Sequence, residues 1–295
     1  MTERPSRLAL VGAFAAIYLI WGSTYLAIRF GVADIPPFFL AGVRFVLPGL
    51  AFLSWALSRG AVLPTRRQVG TTVLIGMAMA TGGNGLMSWS LQTVPSGLGA
   101  LIIGLVPLWV VLFDWGRPGG TRPGGRVMLG VVLGFGGVAL LIDPTQMSGA
   151  RQIDPVGAWV IVVASLSWAS GSVFARYADQ PSSQALSAGM QMLGGGLTLL
   201  ILSALTGEWA RLDLGAAPPR AYLAWGYATV FGSVAYLSYV WLLKASTPAK
   251  AATYAYVNPV IALVLGALIG DEVLTLWTLG CSAVVVAAVL LVVSR

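Results

Sequence analysis

Histidine is absent from this 295-residue chain, and cysteine occurs once, as Cys281 inside an apolar run. The first absence removes the commonest general base, proton relay and zinc ligand together. The second excludes an intrachain disulfide. Charge is scarce too: 9% of residues are charged, where a soluble domain carries roughly 25%. Seventeen basic and ten acidic side chains cannot cover a water-facing surface of this size. No glycine-rich segment ends in the Lys-Ser/Thr of a nucleotide-binding loop, so ATP is not the expected energy source. Long polar stretches are missing as well. The longest, Asp143–Asp154 and Gly207–Arg220, leave no room for an extramembrane domain.

What remains is apolar: 57% of residues, with a mean hydropathy of +0.85. Lipid is the solvent that this composition suits. A spanning helix needs about 20 mostly apolar residues. Charge clusters and Pro/Gly stretches cut the chain into ten such runs, at 8–29, 37–58, 69–91, 96–114, 126–142, 156–177, 184–206, 220–243, 249–269 and 274–293. The opening residues Thr2 to Ala16 look like a signal peptide, but the apolar run continues through Trp21 and Tyr25 to Ile28, longer than a signal's apolar region. It reads as the first span. These runs are continuous, which excludes the alternating ten-residue segments of a membrane β-barrel.

Orientation follows from the basic residues. With the N-terminus cytoplasmic, the inner side holds Arg4, Arg7, Arg59, Arg66, Arg67, Arg117, Arg122, Arg126, Arg176, Lys244, Lys250 and Arg295. The outer side holds Arg29, Arg151, Arg211 and Arg220. That bias predicts both termini inside, and it accounts for the net charge of +7 without a nucleic-acid partner.

The chain also matches itself. Trp21 falls on Trp168, Arg29 on Arg176, Ala41-Gly42 on Ala188-Gly189 and Arg44 on Gln191, all at a shift of 147. Trp89 falls on Trp241, Ala100 on Ala252 and Pro107 on Pro259 at a shift of 152. The repeat predicts two units, 1–145 and 146–295, each with five spans. An odd number of spans forces the two copies to cross the membrane in opposite senses. The expected fold is therefore all-α and integral to the membrane, with ten transmembrane helices in two inverted five-helix repeats. Inverted repeats of this kind build secondary transporters, with the substrate held near the midplane between the halves.

Several stretches resemble the EamA-type drug/metabolite transporters. They are Ile17 to Gly31 (IYLIWGSTYLAIRFG), Pro36 to Phe45 (PPFFLAGVRF), the segment Ala100 to Phe113 around Pro107, its counterpart Ala252 to Gly266 around Pro259, and Gly270-Asp271-Glu272. The resemblance covers essentially the whole chain. It implies a ten-helix exporter of the bacterial inner membrane, moving amino acids, related metabolites or drugs. Within the family the chain is most similar to exporters of aromatic and neutral amino acids; multidrug, nucleobase and other metabolite exporters share the fold.

Polar and aromatic residues inside apolar helices are the candidate substrate ligands, because hydrocarbon penalises them unless they face a cavity or a partner. Tyr18, Trp21 and Tyr25 share one face by helical spacing, and the repeat-related helix offers Trp168 and Ser172. Asn84, Met87 and Ser88 follow Gly82-Gly83, and Tyr236 and Tyr239 lie on the eighth run. Tyr254 and Asn258 flank Pro259. Pro107 and Pro259 each free the carbonyl four residues back and tend to kink their helices, a possible gate. Arg44, about 12 Å into its helix at helical rise, either attracts a carboxylate or bonds backbone groups. Its neutral counterpart Gln191 favours the structural reading, as helix-end placement does for Arg29 and Arg176. The ten carboxylates fall in connections or at helix ends, which argues against proton coupling. No cofactor, metal or catalytic constellation is expected. An intramembrane enzyme lacks its acid–base set, and a channel would not need two halves.

Overall fold

The computed structural model describes residues 6–142, 154–246 and 253–293. The expected domain boundary near 145, the connection 143–153 and the first residues of the span expected at 249–269 lie outside the described residues. Helices are numbered α1 (Arg7–Val32), α2 (Pro37–Ser58), α3 (66–90), α4 (Ser96–Gly116), α5 (Gly125–Ile142), α6 (Pro155–Tyr177), α7 (Gln184–Leu205), α8 (Pro219–Ala245), α9 (Tyr254–Ile269) and α10 (Leu276–Val293). Among the described residues there is no strand.

Local chemistry sets the ends. Thr65 and Gln68 form a reciprocal capping box, which starts α3 three residues before the apolar run does. Asp154 accepts the Val156 N–H ahead of Pro155 at α6, and Ser183 accepts the Leu186 N–H at α7. Two helices widen internally into π-helical turns, Ala16–Ile20 in α1 and Met77–Gly85 in α3. Helix α4 is interrupted between Ile103 and Val106, so Pro107 sits in the first turn of its second piece, while Pro259 lies inside a continuous α9.

Eight of these helices are long and apolar enough to cross a membrane. Helix α3 is not one of them, because the run Thr81-Gly-Gly-Asn-Gly85 dilutes its hydropathy. Helix α9 is apolar but short, at 16 described residues.

The helices pack α2 on α7, α5 on α10 and α4 on α9; α6 packs on α3 and α4, and α1 on α8 and α9. Helix α3 also meets α7, and α8 meets α2. Shifting every helix by five positions returns the same set of pairs. Glycine makes the first contact possible: an added Cβ would lie 2.9 Å from Leu193 N at Gly49, and 2.9 Å from Val46 N at Gly196. Gly42 and Gly189 complete the seam. Gly42 and Gly49 fall on Gly189 and Gly196 at the same shift of 147. With lipid as apolar as leucine, such close backbone approach is what drives helices together in a membrane.

Two buried carboxylates tie one end of the bundle. Glu272, after α9, accepts the N–H groups of Ser96 (2.7 Å) and Gly97 (3.1 Å) and the Ser96 hydroxyl (2.6 Å), closing the N-terminus of α4. It also pairs with Arg29 at the end of α1. Glu208, after α7, accepts from Phe38 N (3.3 Å), Phe39 N (2.9 Å) and the Ser203 hydroxyl (2.8 Å), closing α2. Pro95 and Pro36 precede these helices and supply no N–H. At the opposite end Gln68 Nε2 donates to Asp179 Oδ1 (3.1 Å), and Arg117 lies over the Tyr177 ring.

Glu272→Ala strips the acceptor from two buried N–H groups and removes the counter-charge of Arg29. It should destabilise the purified protein by about 3 kcal/mol, measured by denaturant unfolding in detergent. The exposed Asp34→Ala should change stability by less than about 0.5 kcal/mol.

Candidate functional site

A partly open space lies among side chains from α1, α2, α3, α4, α6, α8 and α9. Six of the fourteen residues that line it are aromatic. Trp21 meets Trp168 edge to face, with ring centroids 5.5 Å apart, and Tyr254 likewise at 5.4 Å. Trp168 meets Tyr236 at 6.2 Å and Tyr239 at 5.7 Å, and Tyr239 meets Tyr254 at 5.5 Å. Such pairs add about 0.5–1.5 kcal/mol each beyond the area they bury. Rings from α1, α6, α8 and α9 therefore hold one another in place. Gly83 admits the indole of Trp168, since a Cβ there would lie 2.8 Å from the ring.

Hydrogen bonds fix the outer layer of this cluster. The Tyr236 hydroxyl donates to Gln191 Oε1 (3.0 Å), and Gln191 Nε2 donates to Gln180 Oε1 (2.9 Å) and the Ser187 hydroxyl (3.3 Å). The Tyr239 hydroxyl donates to Ser172 Oγ (3.1 Å), whose own proton goes to the Trp168 carbonyl. Trp109 Nε1 donates to Ser165 Oγ (2.9 Å), which steadies α4 against α6. Arg44, 4% exposed, donates from Nη2 to Asn84 Oδ1 (3.2 Å) and lies 5.0 Å from the Phe45 ring centre.

Of the residues expected at the site, Trp21, Tyr25, Asn84, Met87, Trp168, Tyr236 and Tyr254 line this space. Tyr239 and Ser172 stand directly behind Trp168. Ser88 is buried but off the lining. Tyr18 is elsewhere: its hydroxyl bonds Thr253 and its ring packs on Phe14. It lies in the π-helical turn 16–20, whose wider winding shifts its phase from that of Trp21. Asn258 serves the same turn. In the amide orientation that satisfies both its ends, its nitrogen donates to the carbonyls of Ile17 (3.2 Å), Tyr18 (3.1 Å) and Tyr254 (3.3 Å). Pro107 is off the lining, although Ile103, at the break before it, lies on it; Pro259 is off the lining too.

Sequence reading passed over Thr24, Ile28, Phe45 and Gly232, and read Arg44 as structural; all five line the space. Thr24 and Ile28 were detectable, because 21, 24, 25 and 28 form one helical face. Gly232 carries no sequence signal. Among the described residues no cluster of His, Cys, Asp or Glu could hold a metal ion.

Comparison with known proteins gives this geometry its context. The model of the EamA-like transporter family matches the chain twice, over residues 8–143 and 155–294. The chain belongs to that family. It is 38% identical over 288 residues to the uncharacterized inner membrane transporter YedA of Escherichia coli K12, spanning 97% of this chain and 90% of that one. It is 25% identical over 285 residues to a probable amino-acid metabolite efflux pump of the same organism, spanning 93% and 90%. A solved crystal structure superposes with a TM-score of 0.68 at 22% identity, covering 97% of this chain and 98% of that one, which shows a shared fold. This EamA-like chain is thus a multi-pass bacterial membrane transporter with a small-molecule cargo.

Gly83→Ala forces the Trp168 indole to move and should cost about 1–3 kcal/mol by overpacking. Gly136→Ala, where a Cβ would meet nothing within 4 Å, should be neutral or stabilising by up to about 1 kcal/mol. Thermal unfolding of the two variants in detergent distinguishes them.

Proposed function

We propose that this protein is a secondary exporter of small metabolites, with aromatic or neutral amino acids as the leading class, working by alternating access through the central cavity. The observation that carries this reading is the contact of Trp21 with Trp168. These two residues correspond under the internal repeat, and corresponding residues touch only where the pseudo-symmetry axis passes. A site on that axis meets both halves equally, so the same ligands can be presented to either side as the halves exchange conformations. Flat aromatic walls suit an aromatic or branched side chain, and the carbonyl freed at Ile103 beside the cavity offers a place for an ammonium. Pro107 and Pro259, on the corresponding helices α4 and α9, are the proposed hinges. The name of the related efflux pump supports the amino-acid class.

In this reading α3 and α9 also cross the membrane, giving ten spans in two inverted halves, 1–145 and 146–295, with both termini cytoplasmic and the protein in the bacterial inner membrane. Polar dilution of α3 is what a cavity-lining helix requires, since Asn84 and Gly83 face the site rather than lipid. Transport is uncoupled from protons, by facilitated efflux or exchange. The two deeply buried carboxylates, Glu208 and Glu272, are already occupied by helix N-termini, and no carboxylate lines the cavity among the described residues.

Two measurements test this. In proteoliposomes, flux of aromatic and neutral amino acids should saturate, stay unchanged under an imposed pH gradient, and fall at least about tenfold in the triple variant Trp21→Ala, Asn84→Ala, Trp168→Ala. Strong pH-gradient dependence would overturn the uncoupled reading, and wild-type flux in the triple variant would overturn the site. For topology, an impermeant thiol reagent on intact cells should label Leu214→Cys and reach Val62→Cys only after permeabilisation. The reverse pattern would overturn the orientation.

A further inference from the structure

We infer that Arg44 is the specificity residue of the central cavity, reading a carboxylate on the cargo, so that a cation of the same shape is rejected. This rests on the transport reading above in taking the cavity as the cargo site.

Arg44 lies deep in α2 with 4% of its surface exposed. A guanidinium taken out of water needs an acceptor for each face it buries, and a counter-charge if one is within reach. Nη2 has the Asn84 side-chain oxygen at 3.2 Å; Nη1 has no hydrogen-bond partner. The cavity wall that Arg44 belongs to contains no Asp or Glu among the described residues. Its flank is bare on the α8 side, where a Cβ on Gly232 would stand 3.7 Å from Nη2. The indole N–H of Trp168 and the hydroxyl of Tyr254 also line this space, buried without a partner. The guanidinium is therefore left with an open donor and no counter-charge in this wall.

The repeat supplies a control within the same molecule. Gln191 occupies the corresponding position in the second half, is 1% exposed, and is satisfied at both ends by protein, through Tyr236, Gln180 and Ser187. One position is neutral and closed; the other is charged and left with an open donor. If charge at this depth served only packing, the second half achieves the same packing without it. A carboxylate fits what Arg44 lacks, because its two oxygens match the planar fork of a guanidinium. An ammonium alone would bring a like charge to a site without an anion, and the aromatic faces offset that only weakly.

The test uses purified full-length protein in detergent and three matched pairs: phenylalanine with phenethylamine, tryptophan with tryptamine, leucine with isoamylamine, plus 3-phenylpropionate as a carboxylate without an amine. Calorimetry should give wild-type affinities about tenfold or more tighter for the carboxylate member of each pair that binds, with 3-phenylpropionate also bound. Arg44→Gln should bring the pair members within about twofold by weakening the carboxylate alone, and Arg44→Lys should restore part of the preference. Amines binding as tightly as their acids, a preference that survives Arg44→Gln, or no carboxylate of the panel binding would each overturn the assignment. The wild-type comparison decides even if Arg44→Gln does not fold. Flux separates this from the parent reading. Carboxylates bound through Arg44 but not moved across proteoliposomes would sink transport and leave Arg44 standing. Amines moved in preference to acids would sink Arg44 and leave transport standing.

Discussion

Hydrocarbon returns no hydrogen bond, so a polar group placed in it must find a partner in the protein, and the architecture of this chain follows from that demand. Where helices begin inside the fold, buried carboxylates meet their free N–H groups, Glu208 at α2 and Glu272 at α4. Where α1 widens into a π-helical turn, the amide of Asn258 reaches the carbonyls of Ile17 and Tyr18. Where α7 buries an amide, Tyr236, Gln180 and Ser187 satisfy it. Unmet side-chain groups remain on Arg44, Trp168 and Tyr254, which line one cavity, and on Ser88 and Gln184, which do not.

The two halves share a scaffold and divide the chemistry. Glycines at 42, 49, 189 and 196 bring α2 and α7 together backbone to backbone, and an exchange of the halves leaves that seam unaltered. Trp21 and Trp168 likewise contribute comparable surfaces. At other positions of the cavity the likeness ends. Arg44 corresponds to Gln191 at the shift of 147, and Asn84 on α3 to Tyr236 on α8 at the shift of 152. Packing positions tolerate duplication because both copies solve the same steric problem.

Much of this was legible in the chain itself. Most helix positions followed from apolar runs and their breaks, and the pairing of Trp21 with Trp168 came from the repeat. The wall residues Tyr25, Asn84, Met87, Tyr236 and Tyr254 followed from a single rule, that polar or aromatic groups within spans need a purpose. Tyr18 departed from its expected face because a π-helical turn leaves no mark in residue spacing. Asn258 departed because two of the carbonyls it serves, those of Ile17 and Tyr18, belong to another helix. Arg44 was read through its neutral counterpart; its unfilled donor shows only in its three-dimensional neighbours. Glu208 and Glu272 looked like ordinary loop acids, since the helix ends they close lie about half the chain away.

That last distance has a consequence for synthesis. Phe38 waits for Glu208, 170 residues later, and Ser96 for Glu272, 176 residues later. As the ribosome delivers the chain in order, the first half must enter the bilayer with the amino ends of α2 and α4 unfinished. Until the second half emerges, water or lipid headgroups at the membrane boundary must stand in for the missing carboxylates. The connection at Glu272 therefore completes a helix inserted long before it.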